Sequence, residues 1–197
     1  MAHHADISAR LVRVLPDATN GIVLVPLRAD HATTMRALLV TNWRFLEPWM
    51  PQRDESWFDV EARRADLEYE AAEHDAGAGY HFAVVLHNRI VGRIDLSNVV
   101  RRVWQNATLG YWIAEEDGGK GYATAAVRLI TNFAFGTAGL HRLQAAVMPR
   151  NGASLRVLEK AGFRREGVAA RYLRINGTWE DHILMAITLE EWTERER

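Results

Sequence analysis

Residues 115–135, EEDGGKGYATAAVRLITNFAF, constrain this chain more than any other stretch. Gly118, Gly119 and Gly121 surround Lys120 directly after an alternating strand pattern and directly before an apolar helical one. A strand feeding a short glycine-rich loop that opens a helix aims unpaired backbone N–H groups and the positive end of the helix dipole at one point. A phosphate fits there. Glycine clusters alone are often only turns, so the flanking pattern carries the argument. The following helix puts Ala123, Val127, Ile130 and Ala134 on one face with Phe133 beside them and stops near Gly136, as a core helix does.

Two common phosphate loops do not fit. A nucleotide triphosphate loop reads G-x-x-x-x-G-K-[ST], but Gly121 stands where the magnesium-holding hydroxyl belongs and Ala114 where the first glycine belongs. A dinucleotide fingerprint, G-x-G-x-x-G, takes Gly119 and Gly121 but puts Thr124 at its third glycine, and the strand before it belongs to a meander rather than a βαβ unit. What remains is a diphosphate carrier held by backbone amides without a metal. Coenzyme A is the obvious candidate.

Further strand patterns fall at residues 7–15, 22–28, 80–86, 90–99, 107–114, 141–148, 163–175 and 179–188. Turn chemistry joins them at 16–21 (PDATNG), at His87-Asn88 and at Asn176-Gly177, the dipeptide most favoured in tight hairpins. Helical patterns cover 30–40 behind an Asp30 cap, 60–73, and a short helix that starts at an Asn151 N-cap, turns Leu155, Leu158 and Ala161 inward and closes at Gly162. Residues 41–59, TNWRFLEPWMPQRDESWFD, read as an aromatic-rich connection. The pattern predicts an α/β (α+β) architecture, a mixed, mostly antiparallel central sheet flanked by helices. With 197 residues, no repeat and no linker, one domain over 1–197 is expected.

Composition removes several function classes. Twenty-four basic against 25 acidic residues leave a net charge of -1, too little to gather nucleic acid or coat a membrane, so charged recognition must be local. Cysteine is absent, which excludes disulfides, thiolate metal sites and a cysteine acyl-enzyme and makes the cytoplasm the expected home. No apolar run approaches the length of a membrane helix, and the N-terminus lacks the apolar core of a signal peptide. The eight histidines form no H-E-x-x-H or H-x-x-x-H pair, so no metal is expected. Monomer and homodimer are both compatible with the sequence.

Gly118, Gly121 and Ala123 occupy the places of the pattern Arg or Gln, two residues, Gly, one residue, Gly or Ala, so the segment resembles the acyl-CoA-binding motif of the GNAT acetyltransferase superfamily. Gly118 departs from it, because the family carries a long side chain there. Residues 141–192 are similar along their whole length to the RimJ branch, the N-terminal acetyltransferases of ribosomal proteins. MP-x-N-x-x-S, GF-x-x-EG, YL-x-I-x-G-x-W-x-DH and Trp192 all fall in register. SNVVR at 97–101 and LGYWI at 109–113 also resemble that branch, as does the N-x-x-F-L-x-P-W run at 42–49.

The resemblance implies the GNAT acyl-CoA N-acyltransferase fold and acetyl-CoA as co-substrate. Its diphosphate would lie on the loop residues Gly118, Gly119, Lys120, Gly121, Tyr122 and Ala123. Its pantetheine would hydrogen-bond the backbone of Tyr111, Trp112 and Ile113, while the side chains of Tyr111 and Ile113 read as core. Asn151 would approach the acetyl region besides capping its helix. Ser154 would protonate the leaving thiolate.

Many relatives carry a glutamate where Thr108 stands, so the usual base is missing, and Asp95, Glu166 and Asp181 are replacements. Asp181 matches W-x-D-H but can also brace the last hairpin. Trp43 and Trp49, with Phe45 and Trp57, are either satellite core or the wall of an acceptor groove that Asp95 would share. Glu115, Glu116 and Asp117 are expected to face solvent. The expected reaction is direct attack by a neutral amine, the N-terminal α-amine of a ribosomal protein beginning with alanine. The alternatives are a small-molecule amine (polyamine, drug or amino acid) and a non-catalytic acyl-CoA-binding regulator.

Overall fold

The computed structural model describes residues 21–195, so the expected strand at 7–15 and all but the last residue of the turn at 16–21 lie outside the described residues. Seven strands form one sheet: β1 (Ile22–Pro26), β2 (Tyr80–Leu86), β3 (Arg89–Val100), β4 (Asn106–Ile113), β5 (Arg142–Val147), β6 (Arg164–Ile175) and β7 (Thr178–Thr188), in the order β1-β2-β3-β4-β5-β7-β6. Every neighbouring pair is antiparallel except β4 and β5, which run parallel. The mixed, mostly antiparallel sheet expected from the pattern is the one observed.

Helices cover both faces. α1 (Ala32–Leu46) and α2 (Val60–Ala76) pack on one, around Leu27, Met35, Leu67, Ala83 and Val85. α3 (Tyr122–Gly136), α4 (Gly152–Ala161) and α5 (Leu189–Arg195) close the larger core on the other, with Phe82, Val84, Ile130, Leu143, Leu158 and Trp192 inside it. This explains why β2 is buried at every position: Phe82 and Val84 belong to one core, Ala83 and Val85 to the other. A strand covered on both faces reads as a continuous apolar run. The two tight hairpins use left-handed pairs, His87 (φ 47) with Asn88 (φ 62) and Asn176 (φ 41) with Gly177 (φ 82), as a type I′ turn requires.

The helices differ from the sequence expectation in three places. α1 runs on through Thr41–Leu46, because Leu39, Asn42 and Leu46 continue its buried stripe, so the expected aromatic connection shrinks to residues 47–59. Asp30 does not cap α1; it sits in a single 3-10 turn at Ala29–His31, and the N-cap of α1 is His31, without a side-chain hydrogen bond. The C-terminal α5, absent from the sequence expectation, seats Trp192 in the core, where its Nε1 donates to Asn132 Oδ1 at 2.9 Å. Among the described residues, no helix is long and apolar enough to cross a membrane.

Candidate functional site

β4 and β5 pair over only three positions, Asn106↔Arg142, Ala107↔Leu143 and Thr108↔Gln144. Beyond them β4 continues on β3 as far as Ile113, and β5 continues on β7 as far as Val147. The strands diverge, and each turns one unpaired edge toward a wedge. Tyr111, Trp112 and Ile113 stand on the open part of β4. The Tyr111 side chain crosses to α4, its Oη 2.8 Å from Ser154 Oγ and 3.2 Å from the Ser154 carbonyl. Asn151 caps α4 by accepting from Ser154 N at 3.1 Å, which fixes where that serine points.

The glycine loop lies where β4 ends. Gly119 (φ 73) and Gly121 (φ 86) are in the left-handed region, and Gly121 heads α3 with no side-chain cap. The first amides of α3 therefore face outward without a side-chain partner, the arrangement that holds phosphate. A cavity of about 330 Å³ opens there, lined by Gly119, Gly121, Ala123 and, from α4, Arg156 and Lys160. Neither cation was singled out from sequence, although their i, i+4 spacing on the helix after MP-x-N-x-x-S is the signal. Lys120 turns its ammonium to Asp117 at 3.6 Å.

Asp117 itself corrects an expectation. It is 3% exposed rather than facing solvent, because Arg89 grips it, Nη1 at 2.9 Å from Oδ2 and Nη2 at 3.0 Å from Oδ1. The guanidinium neutralises a carboxylate that would otherwise oppose a diphosphate. Asn42 of α1 also reaches this turn, where its Oδ1 accepts from Glu115 N at 2.8 Å.

On the α1–α2 face, at the point of divergence, Gln144 Nε2 donates to Thr108 Oγ1 at 3.4 Å. A cavity of about 310 Å³ adjoins this pair, with Ser97, Glu166, Tyr172 and Leu173 in its walls. Glu166 is bound by Arg142 (2.9 Å) and Arg164 (2.6 Å), and the Arg142 hydrogen bond, before all else, brings its carboxyl down to about 2. Gly110, next on that face of β4, leaves open space where a side chain would stand. Trp112 follows, in the wall of a larger cavity of about 620 Å³ that also holds Asp95, Arg93, Glu70 and Trp57.

Asp95 is held by His81 Nδ1 at 3.0 Å and Arg93 Nε at 2.9 Å. Burial would raise its carboxyl, but the Arg93 charge and the His81 hydrogen bond outweigh it, and it lies below the usual value. Asp181 is exposed on the first half of β7, its Oδ1 accepting from Arg171 N at 2.8 Å, and it is not in the wall of the 310 Å³ cavity. Trp43 packs on Trp57 and Phe58, at 5.4 and 5.0 Å between ring centroids, while Trp49 meets the Arg150 guanidinium at 5.5 Å. The structure does not bring Trp43 and Trp49 together; the aromatic walls of the larger cavity are Trp57 and Trp112. Among the described residues, no group of three or more His, Asp or Glu is placed to hold a metal.

Residues 22–164 match the acetyltransferase (GNAT) domain family. The chain is 38% identical to a Bacillus subtilis protein named probable N-acetyltransferase YjcK, over 84% of this chain and 93% of that one. It is 36% identical to the Escherichia coli [ribosomal protein uS5]-alanine N-acetyltransferase, over 77% and 79% respectively. The solved structure of Mycobacterium smegmatis RimJ in complex with CoA-disulfide superposes with a TM-score of 0.83 at 35% identity, covering 86% of this chain and 83% of that one.

Proposed function

The chain belongs to the GNAT acetyltransferase family and is an acetyl-CoA-dependent N-acetyltransferase, and from that premise we propose that its acceptor is the free α-amine of a ribosomal protein beginning with alanine. The observation that carries this reading is the neutral pair Thr108 and Gln144 at the strand divergence, where a lysine acceptor would need a strong base. An α-amine with a pKa of about 7.8 is roughly a tenth neutral at pH 7, whereas a lysine amine near 10.4 is neutral only about 0.04% of the time. That difference, on the order of 3.5 kcal/mol, makes a water-relayed base sufficient. Neither Glu166, tied by two arginines, nor Asp95, tied by Arg93 and His81, offers a stronger one. The named activity of the E. coli relative points to the same acceptor.

The residues present fit acetyl-CoA. Its diphosphate rests on the amides of Gly118, Gly119, Lys120, Gly121, Tyr122 and Ala123 beside Arg156 and Lys160, and its pantetheine lies along the open edge of β4 at Tyr111, Trp112 and Ile113. The amine nitrogen attacks the thioester carbon directly. As the C–S bond breaks, the sulfur takes the proton of the Ser154 hydroxyl, which Tyr111 supports; the amine's proton passes to water, and Ser154 regains a proton from solvent to close the cycle. Unpaired N–H groups on the strand edge meet the developing oxyanion, and alignment of the two substrates supplies much of the rate.

The rest of the acceptor runs across Gly110 toward Trp57 and Trp112. Glu47, Asp54, Glu55 and Asp59, on the segment between α1 and α2, attract basic residues that follow the N-terminus, weakly because exposed charges are screened by solvent. A ribosomal acceptor places the enzyme in the cytoplasm. The test is mass spectrometry after incubation with acetyl-CoA and four acceptors: peptides starting with Ala, starting with Ser, or N-terminally blocked with an internal Lys, and a small polyamine. Fastest labelling of the Ala peptide is expected. Preference for the blocked lysine peptide, or labelling of the polyamine alone, rejects the assignment.

A further inference from the structure

We propose that Asp181 and His182 are positioning residues for the acceptor, holding a bulge in β6 that turns Tyr172 and Leu173 together into the cavity at the strand divergence. The inference rests on the reading that the acceptor amine meets acetyl-CoA in that cavity. Pairing of β6 with β7 stops at Ala169↔His182 and resumes at Leu173↔Glu180, so Ala170, Arg171 and Tyr172 stand opposite Asp181 alone. β6 is an edge strand, so extra residues can be accommodated without breaking a second ladder.

The bulge has its own fastenings. Arg171 adopts φ 49, a left-handed conformation that a non-glycine residue takes only at a cost. Its N–H, lost to the ladder, is donated to Asp181 Oδ1 at 2.8 Å. The residue facing the bulge thus supplies the hydrogen bond that the bulge removed. Beside it, the Tyr172 ring meets the buried His182 imidazole at 5.8 Å between centroids, and His182 Nδ1 is fixed at 2.9 Å from the Glu180 carbonyl oxygen.

The consequence lies in the cavity wall. Successive side chains of a regular strand point to opposite faces. Tyr172 and Leu173 are successive, yet both line the cavity that contains Thr108 and Gln144. The register puts Leu173 beside Glu180, on the face of β7 that His182 shares two positions further on, and the Tyr172 ring packs on that same His182, so the bulge brings both side chains to one face, as bulges next to active sites do. Asp181 therefore shapes the seat of the acceptor's first side chain through the backbone of Arg171, and two bulky walls favour a small residue there.

Steady-state kinetics with the Ala-starting peptide separate this role from that of a base. Asp181→Ala is expected to raise KM for the peptide about 3- to 10-fold, the worth of one ordinary hydrogen bond, with kcat and the KM for acetyl-CoA within about twofold. Asp181→Asn keeps an oxygen that accepts from Arg171 N–H, so it should restore KM to within about twofold of the parent. If Asp181 acts through the wall, adding Asp181→Ala to Tyr172→Ala raises KM little beyond Tyr172→Ala alone. Three outcomes overturn the proposal: a kcat lowered about tenfold or more in both Asp181→Ala and Asp181→Asn, an unchanged KM in Asp181→Ala, or additive effects in the double variant. Should the acceptor panel select a polyamine, the same variants are run with that amine, so the bulge is judged separately from the acceptor's identity.

Discussion

Tyr111 Oη lies 2.8 Å from Ser154 Oγ, so β4 and the first turn of α4 meet through a hydrogen bond across the wedge. Burial drives the Tyr111 phenol up to about 12, and the Ser154 hydrogen bond recovers only part of that rise. The phenol therefore stays protonated at any working pH. It can donate to Ser154 while Ser154 donates to the leaving sulfur.

Ser154→Ala should lower kcat about 10- to 100-fold, near the low end of general acid catalysis, with acetyl-CoA affinity within about twofold. Tyr111→Phe should do less, and the double variant should be no slower than Ser154→Ala by more than about threefold, because the two hydroxyls act as a unit. Single-turnover rates and calorimetry check both halves. Unchanged turnover in Ser154→Ala removes the serine from the reaction.

Gly121→Val places a branched side chain at φ 86 and should weaken acetyl-CoA at least about 10-fold, since the left-handed region alone costs about 1–2 kcal/mol for such a residue. Gly136→Ala, at the helix end and free of close contacts, is the control. Calorimetry of folded Gly121→Val with full affinity would sink the placement of the diphosphate.

Arg156→Ala and Lys160→Ala should each weaken CoA by roughly fivefold, about 1 kcal/mol for an exposed charge. Because such contacts are screened, the loss should shrink as salt rises from 50 to 500 mM on the order of one Debye-length halving or more. A loss independent of salt would mean that the side chains act by packing instead.

Glu166 carries a pH signature. Its carboxyl sits at about 2 in the folded protein, against 4.5 when unperturbed, because Arg142 and then Arg164 hold the anion. A depressed folded value means that the stabilisation is fully present above 4.5 and disappears as pH falls toward 2. The gap in melting temperature between parent and Glu166→Gln should therefore narrow steadily as pH falls from 4.5 toward about 2.5. An equal gap at both pH values contradicts the assignment of the charge.

Much of this molecule was legible in its sequence because the relevant signals are local. The strand–glycine–helix order, the Asn151 cap and the Asn176-Gly177 turn each act over a few residues, and each lies where the pattern put it. Other features depend on partners distant in the chain. Asp117 reads as an exposed acid until Arg89, 28 residues earlier, folds against it. The polar Asn42 looked like the start of a loop, yet it continues a helix because its side chain is needed at Glu115, 73 residues away. Of the aromatic group Trp43, Phe45, Trp49 and Trp57, which the sequence leaves undivided, the turns at Glu47–Trp49 and Glu55–Phe58 bring only Trp57 to the cavity wall. The bulge at Arg171 leaves no trace in hydrophobic alternation, since β6 is exposed along nearly its whole length.

The wedge between β4 and β5 also bears on how the protein avoids its own copies. Unpaired strand edges recruit other strands, and most sheets carry theirs at the rim, where any neighbour can reach them. Here two such edges lie inside the sheet, flanked by α4 and the glycine loop, where a flexible thread of amide-bearing ligand can enter but a second sheet cannot dock. The outer rim at β6 begins instead with Arg164, Arg165 and Glu166 and is broken by the bulge, both of which discourage strand addition. The recruiting edges at the wedge are thus sheltered within the sheet, and the β6 rim is discouraged from adding a strand.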